Sequence, residues 1–342
     1  MMDVNSLPKQ FPVVKASGTH YEVGFAIGQT LREVIQKFLL ENKKVFKKNF
    51  ARYLSESQKF LTVTVKYFPQ YIEELEGLAK GAAVSFEELF LVNNREIADH
   101  SLLSAELGHC TIVAIPQNGG YLVGHNEDWD IDALDHLYLA DVNINGTKMY
   151  GLNYVYNIIG DSVAVNNYGL IEAVNELYHD DEQVGVPKNF VARAILDCKT
   201  LEEAEELMQR IPRASGFNHV LVQGMRLWNI ESSAKEYVIE KIEGQKFVHT
   251  NHYLTELKRI DKGNQESVVR YEKAKRLLSD IHNLGDIKEL LSDREEPRIC
   301  REGTIGSVVF DMVSKKAHIA YGQPRFDRGQ PSSNNYVAQS FA

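Results

Sequence analysis

Cys110 is the residue of this chain whose chemistry most needs explaining. It opens a short apolar run, Cys110–Ile115. After a Gly-rich turn at Asn118–Gly120, a second run, Tyr121–Gly124, leads into His125, Asn126, Glu127, Asp128 and Asp130. Two runs joined this way read as a hairpin, which returns Asp128 to the neighbourhood of Cys110. In most proteins a lone strand cysteine is a small buried apolar residue. This one starts a strand, between Gly108-His109 and Thr111, where its sulfur can be presented at a sheet edge as a nucleophile. Such a thiol needs a base, and His109, His125, His219 and His252 are all candidates in a papain-like scheme. The sequence does not choose among them.

Other chemistry in the chain is weaker. Asp128, Asp130 and Asp132 have the spacing that opens a calcium loop, but the sixth position is Ala133 instead of Gly and the twelfth is Leu139 instead of Glu. There is no GxxxxGK[ST] phosphate loop. His249 and His252 on one strand point to opposite faces. Neither a metal nor a cofactor is therefore expected. Asn251, between them, carries both amide donors and an acceptor, which suits it to an oxyanion or to orienting a nucleophile.

The elements that must position these residues fall into two regions. After a strand at Phe11–Ser17, apolar residues from Val23 to Leu39 recur at helix spacing, predicting a helix from His20 to about Tyr53. Further helices are predicted over Tyr71–Lys80 and from a capping box at Ser85/Glu88. From Cys110 the period changes to that of strands. Asn145-Gly146 joins Leu137–Ile144 to Met149–Tyr156, and Asn166–Gly169 joins Ser162–Val165 to Leu170–Asn175. A helix pair follows, after Pro187 and after a second capping box at Thr200/Glu203. Strands resume at His219–Gln223, Arg226–Ile230, Glu236–Glu240 and Phe247–Thr250. Helices over Glu266–Leu278 and Leu284–Leu291, a hairpin over Ser307–Tyr321 and a polar arm after Pro324 complete the chain. Successive hairpins build antiparallel sheet, so the pattern predicts an α+β sandwich.

The bulk numbers bound the partners. The 342 residues are 44% hydrophobic and carry 38 Lys plus Arg against 47 Asp plus Glu, a net charge of −9, which disfavours nucleic-acid binding. Three cysteines, Cys110, Cys198 and Cys300, make no disulfide framework. With no signal-peptide pattern and no apolar run of about 20 residues, a soluble cytoplasmic protein without a membrane span is expected.

An ordered set of motifs adds to this reading. It runs through Tyr21–Gly28, Glu76–Ala83, Asn93–Glu96, Cys110–Ala114, Gly124–Trp129 and Asn166–Leu170. It continues through Asn175, Gly185–Pro187, Pro212–Gly216, His249–His252, Ser267–Arg270 and Ile299–Arg301. Together these stretches resemble the isopenicillin N acyltransferase-like branch of the N-terminal nucleophile (Ntn) hydrolases, related to the choloylglycine hydrolases. The resemblance implies a four-layer αββα fold with mostly antiparallel sheets. It also implies a chain that cuts itself between His109 and Cys110, into a helical segment of residues 1–109 and a core of residues 110–342 that stay associated. Cys110 would then be an N-terminal nucleophile whose own α-amine is the base. By the same resemblance, Asn251 and Asn175 would stabilise the oxyanion, Asp128 would hold the new amine, and Arg270 would belong to the network. The implied reaction is hydrolysis of a linear amide in a small N-acylated molecule through a thioester. Acyl transfer to an amine, with acyl-coenzyme A as a possible donor, is the alternative. Neither a metal nor a cofactor is implied, and a homo-oligomer is left open.

Two positions depart from the family. His109 stands where glycine usually precedes the cut, which keeps open a third reading, an uncut homologue that binds a small molecule without turnover. His125 stands where choloylglycine-type relatives have arginine, which argues against bile-salt or penicillin V substrates.

Overall fold

Helices come first in the chain. A computed structural model describes residues 9–46, 49–94, 96, 110–263, 265–329 and 333–341. After β1 (Val13–Gly18) come α1 (His20–Thr30), α2 (Arg32–Phe46), α3 (Phe50–Tyr67), α4 (Pro69–Ala82) and α5 (Phe86–Val92). The single helix expected from His20 to about Tyr53 is therefore broken. Leu31 leaves helical geometry at φ −104°, ψ 17°, and Tyr53 belongs to α3. Periodicity hid the break because Ile27, Leu31 and Ile35 all bury against the same core across it. Helix starts were more legible. Thr19 forms a full capping box with Glu22, and Ser85 and Thr200 accept from the Glu88 and Glu203 amides.

The contact between α1 and α4 is made by glycines. A Cβ at Gly24 would lie 2.0 Å from the Glu74 carbonyl oxygen, and one at Gly28 would lie 2.1 Å from that of Leu78. Reciprocally, Gly77 and Gly81 would each come within 2.1 Å of the Tyr21 and Phe25 carbonyls. Backbone packs on backbone, and no side chain can replace these hydrogens. The stretches Tyr21–Gly28 and Glu76–Ala83 are this contact.

The rest of the chain builds two sheets. β2 (Thr111–Gln117), β3 (Gly120–Asp128), β4 (Leu137–Ile144), β5 (Thr147–Tyr154), β6 (Val163–Asn166) and β7 (Leu170–Glu176) lead to α6 (Lys188–Leu196) and α7 (Leu201–Arg210). β8 (Phe217–Gln223), β9 (Arg226–Ser232), β10 (Tyr237–Glu243) and β11 (Phe247–His249) precede α8 (Gln265–Leu277) and α9 (Leu284–Leu291). β12 (Thr304–Asp311), β13 (Lys316–Tyr321) and β14 (Tyr336–Ser340) finish the chain. The eight-stranded sheet has the order β1-β4-β5-β6-β7-β8-β9-β10, and the six-stranded sheet the order β11-β2-β3-β12-β13-β14. Pairing is antiparallel except that β1 runs parallel to β4. The Asn145-Gly146 turn has positive φ at both residues (51° and 93°), as a two-residue hairpin requires.

The tail corrects an expectation. Instead of an arm, β14 pairs with β13, anchored by buried Tyr336 and by Phe341 stacked near Tyr150. Two aromatic anchors in a polar stretch are too few to produce a periodic signal.

α1, α4, α6 and α7 pack on the eight-stranded sheet, while α8 and α9 cover the six-stranded one. The two sheets face each other, giving a four-layer αββα arrangement, as the resemblance implied. Alternation along β3 positions the site. Tyr121 and Val123 point into the core between the sheets, as His125 and Glu127 do further along. Leu122, Gly124, Asn126 and Asp128 point to the α8–α9 layer, where Gly124 meets Ile287 and Leu291. No helix among the described residues is long and apolar enough to cross a membrane.

Candidate active site

The hairpin register pairs Thr111 with Asn126 and Ile112 with His125, so Cys110, one step earlier, meets Glu127. The two faces of the β2 end then divide its atoms. Towards the core between the sheets goes the side chain: Cys110 Sγ donates to Glu127 Oε1 at 3.7 Å. The same carboxylate accepts from Tyr154 Oη at 2.8 Å, from Ser162 Oγ, and from His125 Nε2 at 3.0 Å. Burial first, then the charges of Glu127 and Asp128, push the Cys110 thiol well above its ordinary range. A small pocket of about 30 Å³ opens beside it, bordered by Glu127, Trp129, Tyr154 and Glu176.

Towards α8 goes the backbone. Arg270, fully buried, donates from Nη1 to the Cys110 carbonyl at 2.7 Å and to Thr111 Oγ1 at 2.8 Å. Its Nη2 reaches Asn251 Oδ1 at 3.1 Å, and Nε pairs with Glu266 at 3.2 Å. Asp128 lies 3.8 Å from Nη1 through Oδ2, an atom with no hydrogen-bond partner among the described residues, while Oδ1 accepts from Thr304 Oγ1 at 2.6 Å. Burial, against the opposing pull of Arg270, Thr304 and Arg301, raises Asp128 to about 7. On this side lies a cavity of about 530 Å³, bordered by Asp128, Trp129, Glu266, Val269, Arg298 and Arg301, within the size range of small-molecule sites. Trp129 borders both pockets.

A third group holds the asparagines. Asn251 Nδ2 donates to the Glu176 carbonyl at 3.1 Å, and its backbone amide donates to Ser267 Oγ. Asn175 stands apart from Arg270. Its Nδ2 donates to His249 Nδ1 at 3.0 Å across the two sheets, and His249 Nε2 donates to Glu231 at 2.9 Å. Its neighbours Val174 and Glu176 border the small pocket.

A family model described as acyl-coenzyme A:6-aminopenicillanic acid acyl-transferase matches residues 116–326. The chain belongs to this family. A β-alanyl-dopamine/carcinine hydrolase of Drosophila melanogaster is 30% identical over 220 residues, covering 58% of this chain. The chain spans only 57% of that relative's length. An acyl-coenzyme A:6-aminopenicillanic-acid-acyltransferase 40 kDa form of Emericella nidulans is 26% identical over 338 residues, covering 91% of this chain and 92% of its own. Among solved structures, a Caenorhabditis elegans N-acylethanolamine-hydrolyzing acid amidase ortholog aligns with TM-score 0.47 and 18% identity, covering 59% of this chain and 92% of its own.

Arg270 thus gathers three of the residues that the acyl-transferase family resemblance singled out, Cys110, Asn251 and Asp128, while Asn175 is held separately by His249. His109 lies outside the described residues. Of the other candidate bases, His219 is pushed down to about 3 and His252 to about 4, mainly by burial. His125 has a ring nitrogen within 4.8 Å of Cys110 Sγ. The Asp128–Asp132 run is no calcium loop: Asp130 accepts from the Asp132 amide and caps a 3₁₀ turn at Ile131–His136. Sequence reasoning missed Glu127, Thr304 and the His249–Glu231 pair. Glu127 was findable, since the hairpin register that returns Asp128 to Cys110 also fixes its neighbour. Thr304 lies 176 residues from Asp128, the group it serves, and Glu231 reaches Asn175 only through His249, so neither carries a local signal.

Proposed function

We propose that this chain is a self-processing N-terminal-cysteine amidohydrolase acting on a small N-acylated molecule. The observation that carries the reading is the grip of Arg270 on the Cys110 carbonyl and on Asn251 together. Residues far apart in sequence converge on the backbone of the one residue that would become a new N-terminus. Scission of the His109–Cys110 bond yields segments 1–109 and 110–342. They stay together because α1 and α4 share one continuous core with the eight-stranded sheet.

The electrostatics support such a device. In the uncut chain the thiol is buried among acids and stays protonated. Scission creates an α-amine, whose ammonium form adds a positive charge near Asp128 and the sulfur and favours both anions. The neutral α-amine takes the thiol proton, and the thiolate attacks the amide carbonyl to give a tetrahedral oxyanion. Asn251 has a second amide hydrogen to offer that charge, a kind of contact worth about 3–4 kcal/mol where it has been removed. Asn175, oriented by His249, is the other proposed donor. Collapse expels the amine, which leaves with the proton, and the acyl group remains on Cys110 as a thioester. Water resolves it in the hydrolase reading. An acceptor amine resolves it in the transferase reading, which the match to an acyltransferase over 91% of the chain favours. The three buried free cysteines suit a reducing cytoplasm.

Denaturing intact-mass analysis tests the reading. Two fragments divided before Cys110, turnover of N-acyl amines, and loss of both in Cys110→Ala are the expected results. A single uncut chain with full amidase activity would sink it.

A further inference from the structure

Beside the nucleophilic thiol stand two donors, His125 and Glu127, to which the acyl-transfer chemistry gives no role. Cys110 Sγ, a ring nitrogen of His125 and a Glu127 carboxylate oxygen all lie within 4.8 Å of one another, and all three residues are buried. Sγ to Glu127 Oε1 is 3.7 Å, and His125 Nε2 to Glu127 Oε2 is 3.0 Å. Thiolate, imidazole and carboxylate donors about 3.3–3.7 Å apart are what a tetrahedral zinc ion with bonds of about 2.0–2.3 Å requires. We propose that Cys110, His125 and Glu127 form a binding site for a thiophilic divalent cation, zinc(II) being the best match, and that its occupation silences the nucleophile.

The charges balance, since one thiolate and one carboxylate offset the ion, leaving a neutral centre in a buried place. The ligand carboxylate has supports of its own, because Tyr154 and Ser162 both donate to Glu127. The pocket beside the sulfur gives the ion a way in and room for a water as fourth ligand. His125 Nδ1 has no hydrogen-bond partner among the described residues, so the imidazole proton can move there when Nε2 takes the metal. A ligand histidine without an acceptor on its other nitrogen is weakly supported, which makes this a reversible inhibitory site instead of a structural one. Metal binding forms three donor bonds and releases the thiol proton to water.

The binding half of the proposal stands without the amidase reading, and the silencing half rests on it. Cobalt(II) is the probe. Titrated into the full-length protein, it should give one equivalent of a thiolate-to-cobalt charge-transfer band with the intense visible spectrum of a four-coordinate ion. The band should vanish in Cys110→Ser and persist in Cys198→Ser/Cys300→Ser. Affinity should fall by more than the roughly 10–100-fold that loss of an outer-shell partner costs in both His125→Gln and Glu127→Gln, since each removes a ligand. Zinc should block turnover, and a chelator should restore it. A weak six-coordinate spectrum in the unmutated protein, a band surviving Cys110→Ser, or unchanged affinity in both ligand variants would overturn the site. Should the protein prove to have no amidase activity, the cobalt spectrum still decides whether the metal binds.

Discussion

Among the described residues, two fully buried arginines face carboxylates, and they are treated differently. Arg193 of α6 binds Glu74 of α4 through Nε at 3.0 and 3.2 Å and Asp197 through Nη1 at 3.0 Å, while His20 Nδ1 meets the same Glu74 at 2.9 Å. Burial works against its charge, yet Glu74 and Asp197 overcome that and raise its pKa. Arg270 instead spends its donors on a backbone carbonyl, a threonine and an asparagine, and leaves Asp128 at 3.8 Å. In the first, closed network the Arg193 charge is matched by Glu74 and Asp197, although its Nη atoms make no well-aligned hydrogen bond among the described residues, and the pairing joins the helical layer to the core. The second leaves a buried carboxylate short of partners and titrating near neutrality, which is where perturbed groups with a chemical task tend to be found.

The sharpest test makes one chemical change in both networks, Glu74→Gln and Asp128→Asn. Glu74→Gln strips Arg193 of its main counter-charge and should cost about 3–5 kcal/mol in denaturant unfolding. Asp128→Asn should do the reverse. With a folded pKa of about 7 against an ordinary value of 3.8, the folded chain holds a proton between those values that the unfolded chain has released. Stability from this group is therefore present at low pH and lost as pH rises through about 7. The ionised form costs about 4 kcal/mol. Because an α-amine would alter that balance, the comparison belongs in the uncut Cys110→Ala chain. There, Asp128→Asn should raise stability by about 4 kcal/mol at pH 8 and by little at pH 4. Equal destabilisation by both amides would erase the distinction between the networks.

The closed region was the easier of the two to read in sequence. Its capping residues are local signals, and the stretches Tyr21–Gly28 and Glu76–Ala83, which hold Gly24, Gly28, Gly77 and Gly81, were among the motifs of the family resemblance. What the pattern did not reveal was that the two stretches pack on each other, because a backbone contact leaves no hydrophobic period. The open region was half legible. Cys110, Glu127 and Asp128 follow from one hairpin, while Asn251, already singled out by its amide, was joined to them only by the family resemblance. That Arg270 would hold the Cys110 carbonyl, and Thr304 the Asp128 carboxylate, depends on α8 and β12 arriving from well over a hundred residues away. No local rule encodes such a contact.

A smaller effect tests the closed side through packing instead of charge. In Gly77→Ala the new methyl would fall 2.1 Å from the Tyr21 carbonyl oxygen, with the Phe25 amide also close, so α1 and α4 must separate. Overpacking of this kind costs about 1–3 kcal/mol, and backbone on both sides puts it at the upper end. The loss should appear equally at pH 5 and pH 8, because no titrating group is touched. A pH-dependent loss would mean that the helix contact and the buried charges are coupled.

The smallest effect separates a hydrogen bond from a charge on the open side. Thr304 donates to Asp128 Oδ1 at 2.6 Å and holds its pKa down. Thr304→Val keeps the shape of the side chain and removes the donor. At pH 8 the ionised carboxylate loses a charge-assisted bond worth about 1.5–3 kcal/mol. At pH 4 the carboxyl is protonated, so a weaker neutral bond is lost and the cost should fall to about 1 kcal/mol. The apparent pKa of Asp128, followed by the pH dependence of unfolding in the Cys110→Ala chain, should therefore move upward. If Thr304→Val costs the same at both pH values, Asp128 is not ionising in that range. The contrast between a closed and an open network would then rest on geometry alone.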